Sequence, residues 1–238
     1  MALYRDEAVV VRTYKLGEAD RIVVLFTRDR GKVRAVAKGV RKTLSRFGAR
    51  LEPMSHVALQ LYEGRELDTI TQAESLENFR GLRDDLERIT RSASILEAVD
   101  HITEEREPNA KLYTMLVGAL RTLAMHDHPL VVPAFFWKLL ALEGFRPVVD
   151  TCVICDRDDE LCGFDLEAGG VLCVDHRRGS ALTPEAIGLL QAILGGRVAA
   201  ALAQPISSAT LDVEHLATRA IEHHLERRLR SVGVLDRG

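Results

Sequence analysis

The sequence predicts an α+β multidomain protein: an N-terminal five-stranded barrel of the OB-fold kind, then an α-helical domain with a zinc-binding ribbon or knuckle inserted among its helices. Three observations predict it. The first seventy-odd residues come in short β-branched runs between turn signals. After Asn78 the apolar period changes from two to between three and four, and two Cys/His pairs interrupt the helical pattern. The barrel is expected over residues 1–78 and the helical domain over 79–238, with the insertion at about 148–180.

The strands are expected at residues 8–13, 21–27, 32–37, 56–62 and 68–73. Gly17, the Asp29-Arg30-Gly31 turn, Gly39, Gly48, Pro53 and Glu63-Gly64-Arg65 separate them. Five strands in about seventy residues suggest a small closed barrel that offers a strand face and loops to an oligonucleotide. Strand count alone also fits an SH3-like barrel. In the third run Lys32 and Arg34 alternate with Val33 and Ala35, which places the two cations on one face, the outward one.

Charge gives the barrel a purpose. Residues 28–50 hold nine Lys or Arg against one acid, Asp29. Residues 1–50 carry thirteen basic and five acidic side chains, a net of plus eight, so the rest of a chain of net charge −3 carries minus eleven. A concentrated positive patch raises the local phosphate concentration and releases counterions when it binds, so nucleic acid is the expected partner. A merely solvated charged face is the plainer alternative.

The helices follow in order. Leu82, Leu86, Ile89, Ala93, Leu96 and Val99 share one face, as do Leu112, Leu116, Leu120 and Leu123. A third helix over 129–143 is too apolar for a surface, with Phe135, Phe136 and Trp137 in it, and Gly144 ends it. A fourth starts with Thr183 as N-cap and Pro184 at its first position and runs to about Leu194. The last is expected over 212–231, ending in Arg227-Arg228-Leu229-Arg230.

Cys152 and Cys155 are two residues apart, Cys173 and His176 likewise, with seventeen residues between the pairs. Such knuckles supply the four tetrahedral ligands of a closed zinc site, which stabilises rather than catalyses because no position is left for water. Cys162 stands as an alternative fourth ligand, and unligated core cysteines as the alternative to a metal. The runs 161–165 and 169–172 look like strands of a ribbon.

No catalytic residue is assigned and no enzyme is expected. The chain has no phosphate-cradling Gly-rich loop, no nucleophile elbow and no H-E-x-x-H; His126-Asp127-His128 reads as a helix-start loop. The opening MALYRDEAVVVRTYK carries charges where a signal peptide needs apolar residues, and no run approaches eighteen apolar residues, so a cytoplasmic location is expected.

Taken together, these residues resemble the RecO family of DNA repair proteins. The resemblance is carried by Gly17-Glu18-Ala19-Asp20-Arg21-Ile22-Val23, Phe26-Thr27, Gly31-Lys32-Val33, Ala37-Lys38-Gly39-Val40-Arg41 and Ser45-Arg46-Phe47-Gly48 with Leu51-Glu52-Pro53. Further along, Gly144, Phe145 and Pro147 precede the Cys-x-x-Cys pair, and Phe164-Asp165, Gly169-Gly170-Val171-Leu172-Cys173 and Arg228-Leu229-Arg230-Ser231 follow. The resemblance spans nearly the whole chain in order. It implies a DNA-binding recombination mediator that binds single- and double-stranded DNA, anneals complementary strands and, with RecR and RecF, helps load RecA onto strands coated by the single-stranded-DNA-binding protein SSB. It also implies a bacterial, nucleoid-associated location and no membrane or small-molecule substrate. Zinc-bearing members usually show four cysteines where this chain has His176.

The residues expected to meet DNA are Lys32, Arg34, Lys38, Arg41, Lys42 and Arg46, on phosphates, with Phe47 stacking on a base. Phosphate contacts carry no sequence information, which suits a protein acting wherever a gap arises. The metal ligands are expected to be Cys152, Cys155, Cys173 and His176, holding one structural Zn2+. A pocket for the acidic C-terminal tail of SSB is sought around Trp137 and Phe136 with Lys138, Arg146 or Arg228 at its edge, against the reading that both aromatics are core. The competing classes are an RNA- or ribosome-associated OB-fold and zinc-ribbon protein, and a metal-dependent hydrolase with an open coordination position.

Overall fold

The computed structural model describes residues 2–126 and 128–231, so Asp127 lies outside the described residues. The chain divides into two compact units at the step from Met125 to His126.

In the first unit, β1 (Leu3–Leu16), β2 (Asp20–Thr27), β3 (Gly31–Ala37), β4 (His56–Tyr62) and β5 (Asp68–Glu77) form a closed barrel in the order β1-β2-β3-β5-β4. All pairs are antiparallel except β3–β5, which closes the barrel in parallel at Ala35↔Asp68 and Val36↔Thr69. This is an OB-like barrel. Every expected strand is present, β1 and β5 being longer than the apolar runs that announced them. Alternation sends Ala8, Val10, Val23, Leu25, Ala35, Ala37, Leu59 and Ile70 inward. Phe47, which precedes a 3-10 turn over Gly48–Leu51, and Leu51, which ends it, join them with Val40 from the β3–β4 connection.

The register of β1 shifts between Val10 and Arg12, where Val11 is an extra residue. Without that bulge, Arg12 would share the inward parity of Val10. With it, Arg12 pairs with Val24 and Tyr14 with Ile22, and these side chains point outward.

Two helices, α1 (Leu86–Ile102) and α2 (Ala110–Met125), belong to this unit. The first begins later than its apolar periodicity suggested because Asp85 caps it, its side chain accepting from the Glu87 amide at 2.9 Å. Tyr113 of α2 reaches His56, its hydroxyl 2.7 Å from His56 Nε2. Arg121 donates two hydrogen bonds to Glu77, which outweigh the opposing effect of burial and, with His56, hold that carboxyl below its usual range.

After α1 the chain lies along β3. The Arg106 amide donates to the Lys32 carbonyl at 2.9 Å, and a side chain on Gly31 would bring its Cβ within 1.9 Å of the Glu107 carbonyl oxygen. With a φ of +67° as well, position 31 has two reasons to be glycine. Arg106 carries this segment's anchor into the barrel. Its Nη2 donates at 2.9 Å to Asp68, a wholly buried carboxylate that also accepts from the Gly64 amide at 2.9 Å and from the Tyr4 hydroxyl. Asp68→Ala strands those donors and is expected to cost about 3 kcal/mol, read as a lowered midpoint in urea unfolding; an unchanged midpoint refutes the anchor.

The second unit contains α3 (Val131–Leu142), the three-stranded sheet β6 (Leu161–Asp165), β7 (Gly170–Cys173) and β8 (Ser180–Ala181), then α4 (Pro184–Leu194), α5 (Val198–Leu202) and α6 (Ser208–His224). As its composition required, α3 is the central helix. It packs on α4 and α6 and buries Phe135, Phe136 and Trp137. Trp137 meets Phe164 of the ribbon with ring centroids 5.7 Å apart. The N-cap of α4 is as expected, Thr183 accepting from the Ala186 amide. The last helix starts at Ser208, where the Ser207 amide is held by Thr210 Oγ1 at 2.9 Å, and ends at His224. Arg227, Arg228 and Arg230 therefore follow the helix instead of forming its last turn. Among the described residues, no helix is long and apolar enough to cross a membrane.

Candidate nucleic-acid interface and metal centre

The β3–β4 connection folds as a series of tight turns, with the Lys42 amide donating to the Gly39 carbonyl at 3.1 Å and Ser45 to Lys42 at 3.0 Å. It is tied to the β1–β2 turn by the Gly39 amide on Asp20 Oδ1 at 2.7 Å, the Arg41 amide on the Ala19 carbonyl at 2.9 Å and Arg41 Nη1 on the Gly17 carbonyl at 3.2 Å. That scaffold leaves Lys38, Arg41, Lys42 and Arg46 exposed, and among the described residues none of the four is in an ion pair. Arg50 is exposed beside them, its guanidinium on the carbonyls of Arg46 and Phe47. Arranged this way, the loop end of the barrel offers several exposed cations that no carboxylate pairs with among the described residues.

The strand face is different. Lys32 and Arg34 point outward, as alternation required, but Lys32 Nζ donates to the Asp100 carbonyl at 2.7 Å and lies 3.6 Å from its carboxylate, with only 14% of the side chain exposed. Arg12 meets the same carboxylate at 2.9 Å. Arg34 faces Glu105 at 3.4 Å across a half-exposed gap, a pair worth little in water. The structure thus brings Lys38, Arg41, Lys42 and Arg46 together as a free set, leaves Arg34 at their border and turns Lys32 to holding α1 on the barrel.

Phe47 needs a correction. It is 1% exposed and part of the barrel core, with the Arg46 guanidinium 4.8 Å from its ring centroid, so neither face is open to a base. The aromatic that does sit on the outward basic face is Tyr14, 44% exposed, with Arg12 4.9 Å from its ring centroid. Sequence reasoning passed over it, because the bulge at Val11 turns Arg12 and Tyr14 to the face opposite the one that unbroken alternation from Val10 gives.

In the second unit Trp137 and Phe136 are each 1% exposed, so they are core and form no surface pocket. His128 marks a helix start, its Nδ1 accepting from the Leu130 amide at 3.2 Å.

The ribbon assembles the cysteine pairs. Cys152, Cys155, Cys173 and His176 place one ligand atom each within 4.8 Å of one another, and Cys162, on β6, is outside the group. The first knuckle is closed by the Cys152 amide on the Arg157 carbonyl at 2.7 Å and the Asp156 amide on the Cys152 carbonyl at 2.9 Å, with Asp156 at a φ of 61°. The second follows β7 as a 3-10 turn over Val174–His176. Arg157 and Asp175, one from each knuckle, pair at 2.9 Å and tie the two together.

Geometry tests whether an ion fits. Metal–sulfur bonds of ~2.3 Å at a tetrahedral angle put two sulfurs about 3.8 Å apart, and a nitrogen at ~2.0–2.1 Å about 3.5 Å from a sulfur. Cys155 and Cys173 Sγ are 3.8 Å apart, and His176 Nδ1 is 3.3 Å from Cys173 Sγ and 3.8 Å from Cys152 Sγ. These three edges are close to those of a tetrahedron, and all four ligand atoms lie within 4.8 Å of one another. Burial raises the Cys152 thiol, but the amides of Cys173, Ile154 and Cys155 together outweigh it and hold the thiol at about 6, so a thiolate is available at neutral pH. The group can hold one metal ion with no coordination position left over.

Comparison with known proteins agrees with the architecture. Residues 1–79 match the family model described as recombination protein O N terminal, and residues 83–232 the model described as recombination protein O C terminal. A DNA repair protein RecO from Nocardioides sp. (strain ATCC BAA-499 / JS614) is 46% identical over 245 residues, which cover 99% of this chain and 100% of that protein.

Proposed function

This chain belongs to the RecO family of DNA repair proteins, and from that we propose that it is a DNA-binding recombination mediator with no catalytic turnover of its own. It binds single- and double-stranded DNA, anneals complementary strands and, with RecR, promotes RecA loading onto SSB-coated single strands in the cytoplasm, with RecF and the SSB tail as further partners. One observation carries the reading most directly: Lys38, Arg41, Lys42 and Arg46 stand exposed and, among the described residues, without ion-pair partners at one end of an OB-like barrel.

The mechanism follows from electrostatics. Two complementary strands repel through their phosphates, and a rigid cluster of cations lowers that repulsion for both at once while releasing their counterions. Because the contacts are to phosphate, the surface works at any sequence. The bases stay free to pair. In the second unit Cys152, Cys155, Cys173 and His176 would hold the metal, and three thiolates with one imidazole favour Zn2+. It supplies rigidity to a ribbon that connects α3 to α4.

The test is an annealing assay on complementary strands coated with SSB, comparing the wild type with Lys38→Ala/Arg41→Ala/Arg46→Ala. The variant is expected to anneal at least tenfold more slowly at physiological salt. Equal rates would remove the loop from the mechanism.

A further inference from the structure

Beside the basic loop the barrel carries a second feature that phosphate binding does not use. A groove of about 450 Å³ opens between the outer face of β1–β3 and the chain at the end of α1. Its floor is Ile22 and Val24, its aromatic wall is Tyr14, its outer cation is Arg34, and Asp100 and Glu105 close the far side. The register explains the grouping: Tyr14 pairs with Ile22, Arg12 with Val24, and Val24 with Arg34, so all five share the face that the β1 bulge turns outward. The volume lies within the range of about 300–1,000 Å³ usual for ligand pockets.

We infer that this groove is a subsite for an unpaired nucleobase, with Tyr14 as its stacking platform. The inference deepens the DNA-binding reading and rests on it. A phosphate is a poor occupant: two carboxylates line the site, and Arg12 and Lys32 are already committed to Asp100. A base suits it. Its flat apolar faces match the Ile22–Val24 floor and the exposed ring of Tyr14. Arg12 covers one face of that ring at 4.9 Å and so leaves the other to a base, and stacking tolerates any base because each has a π-face. Its exocyclic amine finds an acceptor in Glu105, which is half exposed and loosely held by Arg34; cytosine offers such an amine and thymine does not. The site therefore divides the work of the face, with the loop cations taking the backbone and the groove taking a base that has left its partner. A base inside a duplex cannot enter, so the groove favours single strands.

Fluorescence anisotropy on labelled single strands and on a duplex of the same length tests this, using the full chain with Tyr14→Leu, Tyr14→Phe and Glu105→Gln. Tyr14 is 44% exposed, so the variants keep the barrel core, and thermal melts verify that. Stacking is worth about 1–3 kcal/mol per base, so Tyr14→Leu is expected to weaken single-strand binding about tenfold and leave duplex binding within twofold. Tyr14→Phe, which keeps the ring, restores it. Glu105→Gln is expected to lessen the preference of the wild type for oligo-dC over oligo-dT. Single-strand affinity unchanged in Tyr14→Leu, or duplex affinity falling in step with it, overturns the subsite while leaving the loop's role intact. If the wild type bound neither DNA, the failure would lie with DNA binding itself.

Discussion

Lys38→Ala/Arg41→Ala/Arg46→Ala is expected to weaken DNA binding alike on every sequence and to flatten its dependence on salt. Each cation that neutralises a phosphate contributes about 0.7 to the slope of log K against log salt on single strands and about 0.9 on duplex. Removing three such contacts lowers the slope by about 2 on single strands and nearly 3 on duplex. Extrapolated from 1 M salt, where the counterion contribution vanishes, to 0.15 M, a slope change of 2 is a loss of about fiftyfold. Lys32→Ala is the informative comparison. Its ammonium is bonded to the Asp100 carbonyl and faces the Asp100 carboxylate, so its removal is expected to cost stability and leave the slope unchanged. Binding isotherms of both variants between 50 and 300 mM salt decide the matter. An unaltered slope in the triple variant, or an equal drop in Lys32→Ala, would sink the separation of free from committed cations.

That separation marks where the sequence was legible and where it was not. The strands could be read because β-branched runs, glycine turns and a period of two are local properties. The same holds for the Thr183–Pro184 start of α4 and for the spacing of the four residues of the Cys/His cluster. The outward direction of Lys32 and Arg34 was legible too, since alternation alone sets it. Their partners were not. Asp100 and Glu105 lie about seventy residues further along, and only the path of α1 and the close approach of Glu107 to Gly31 bring them to β3. Phe47 was misread for a related reason: an aromatic between Arg46 and Gly48 looks like a loop residue until the connection is seen to plug the barrel. Tyr14 was hidden by a bulge, because a one-residue insertion reverses the face of everything after it and leaves no mark in the hydrophobic pattern.

Cys173→Ser is expected to release the zinc and unfold the ribbon of the second unit. Apolar burial around the cluster itself is small: Cys152, Leu172 and Cys173, with Val153 and Leu161 packed against them, while the buried Phe164 of the ribbon lies against Trp137 instead. At about 1.5–3 kcal/mol for each well-buried aliphatic side chain, the knuckles have little apolar burial of their own, whereas structural zinc binds with an apparent ~10–16 kcal/mol at neutral pH. Cys173 is a damaging ligand to lose because it is wholly buried and its sulfur lies 3.8 Å from Cys155 Sγ and 3.3 Å from His176 Nδ1. Two variants separate ligation from packing. Cys162→Ser, outside the cluster, should keep one zinc per chain, and His176→Cys should keep it in a four-thiolate site. Acid should mimic the loss in a definite direction: the ligands bind as thiolates and neutral imidazole, so protons compete with the metal as the pH falls, and dialysis into progressively more acidic buffer removes metal that dialysis at pH 7.5 leaves. Zinc content and the melting curve of each protein are the measurements. A Cys173→Ser chain that still bound one equivalent and melted with the wild type would show that the knuckles stand by packing alone.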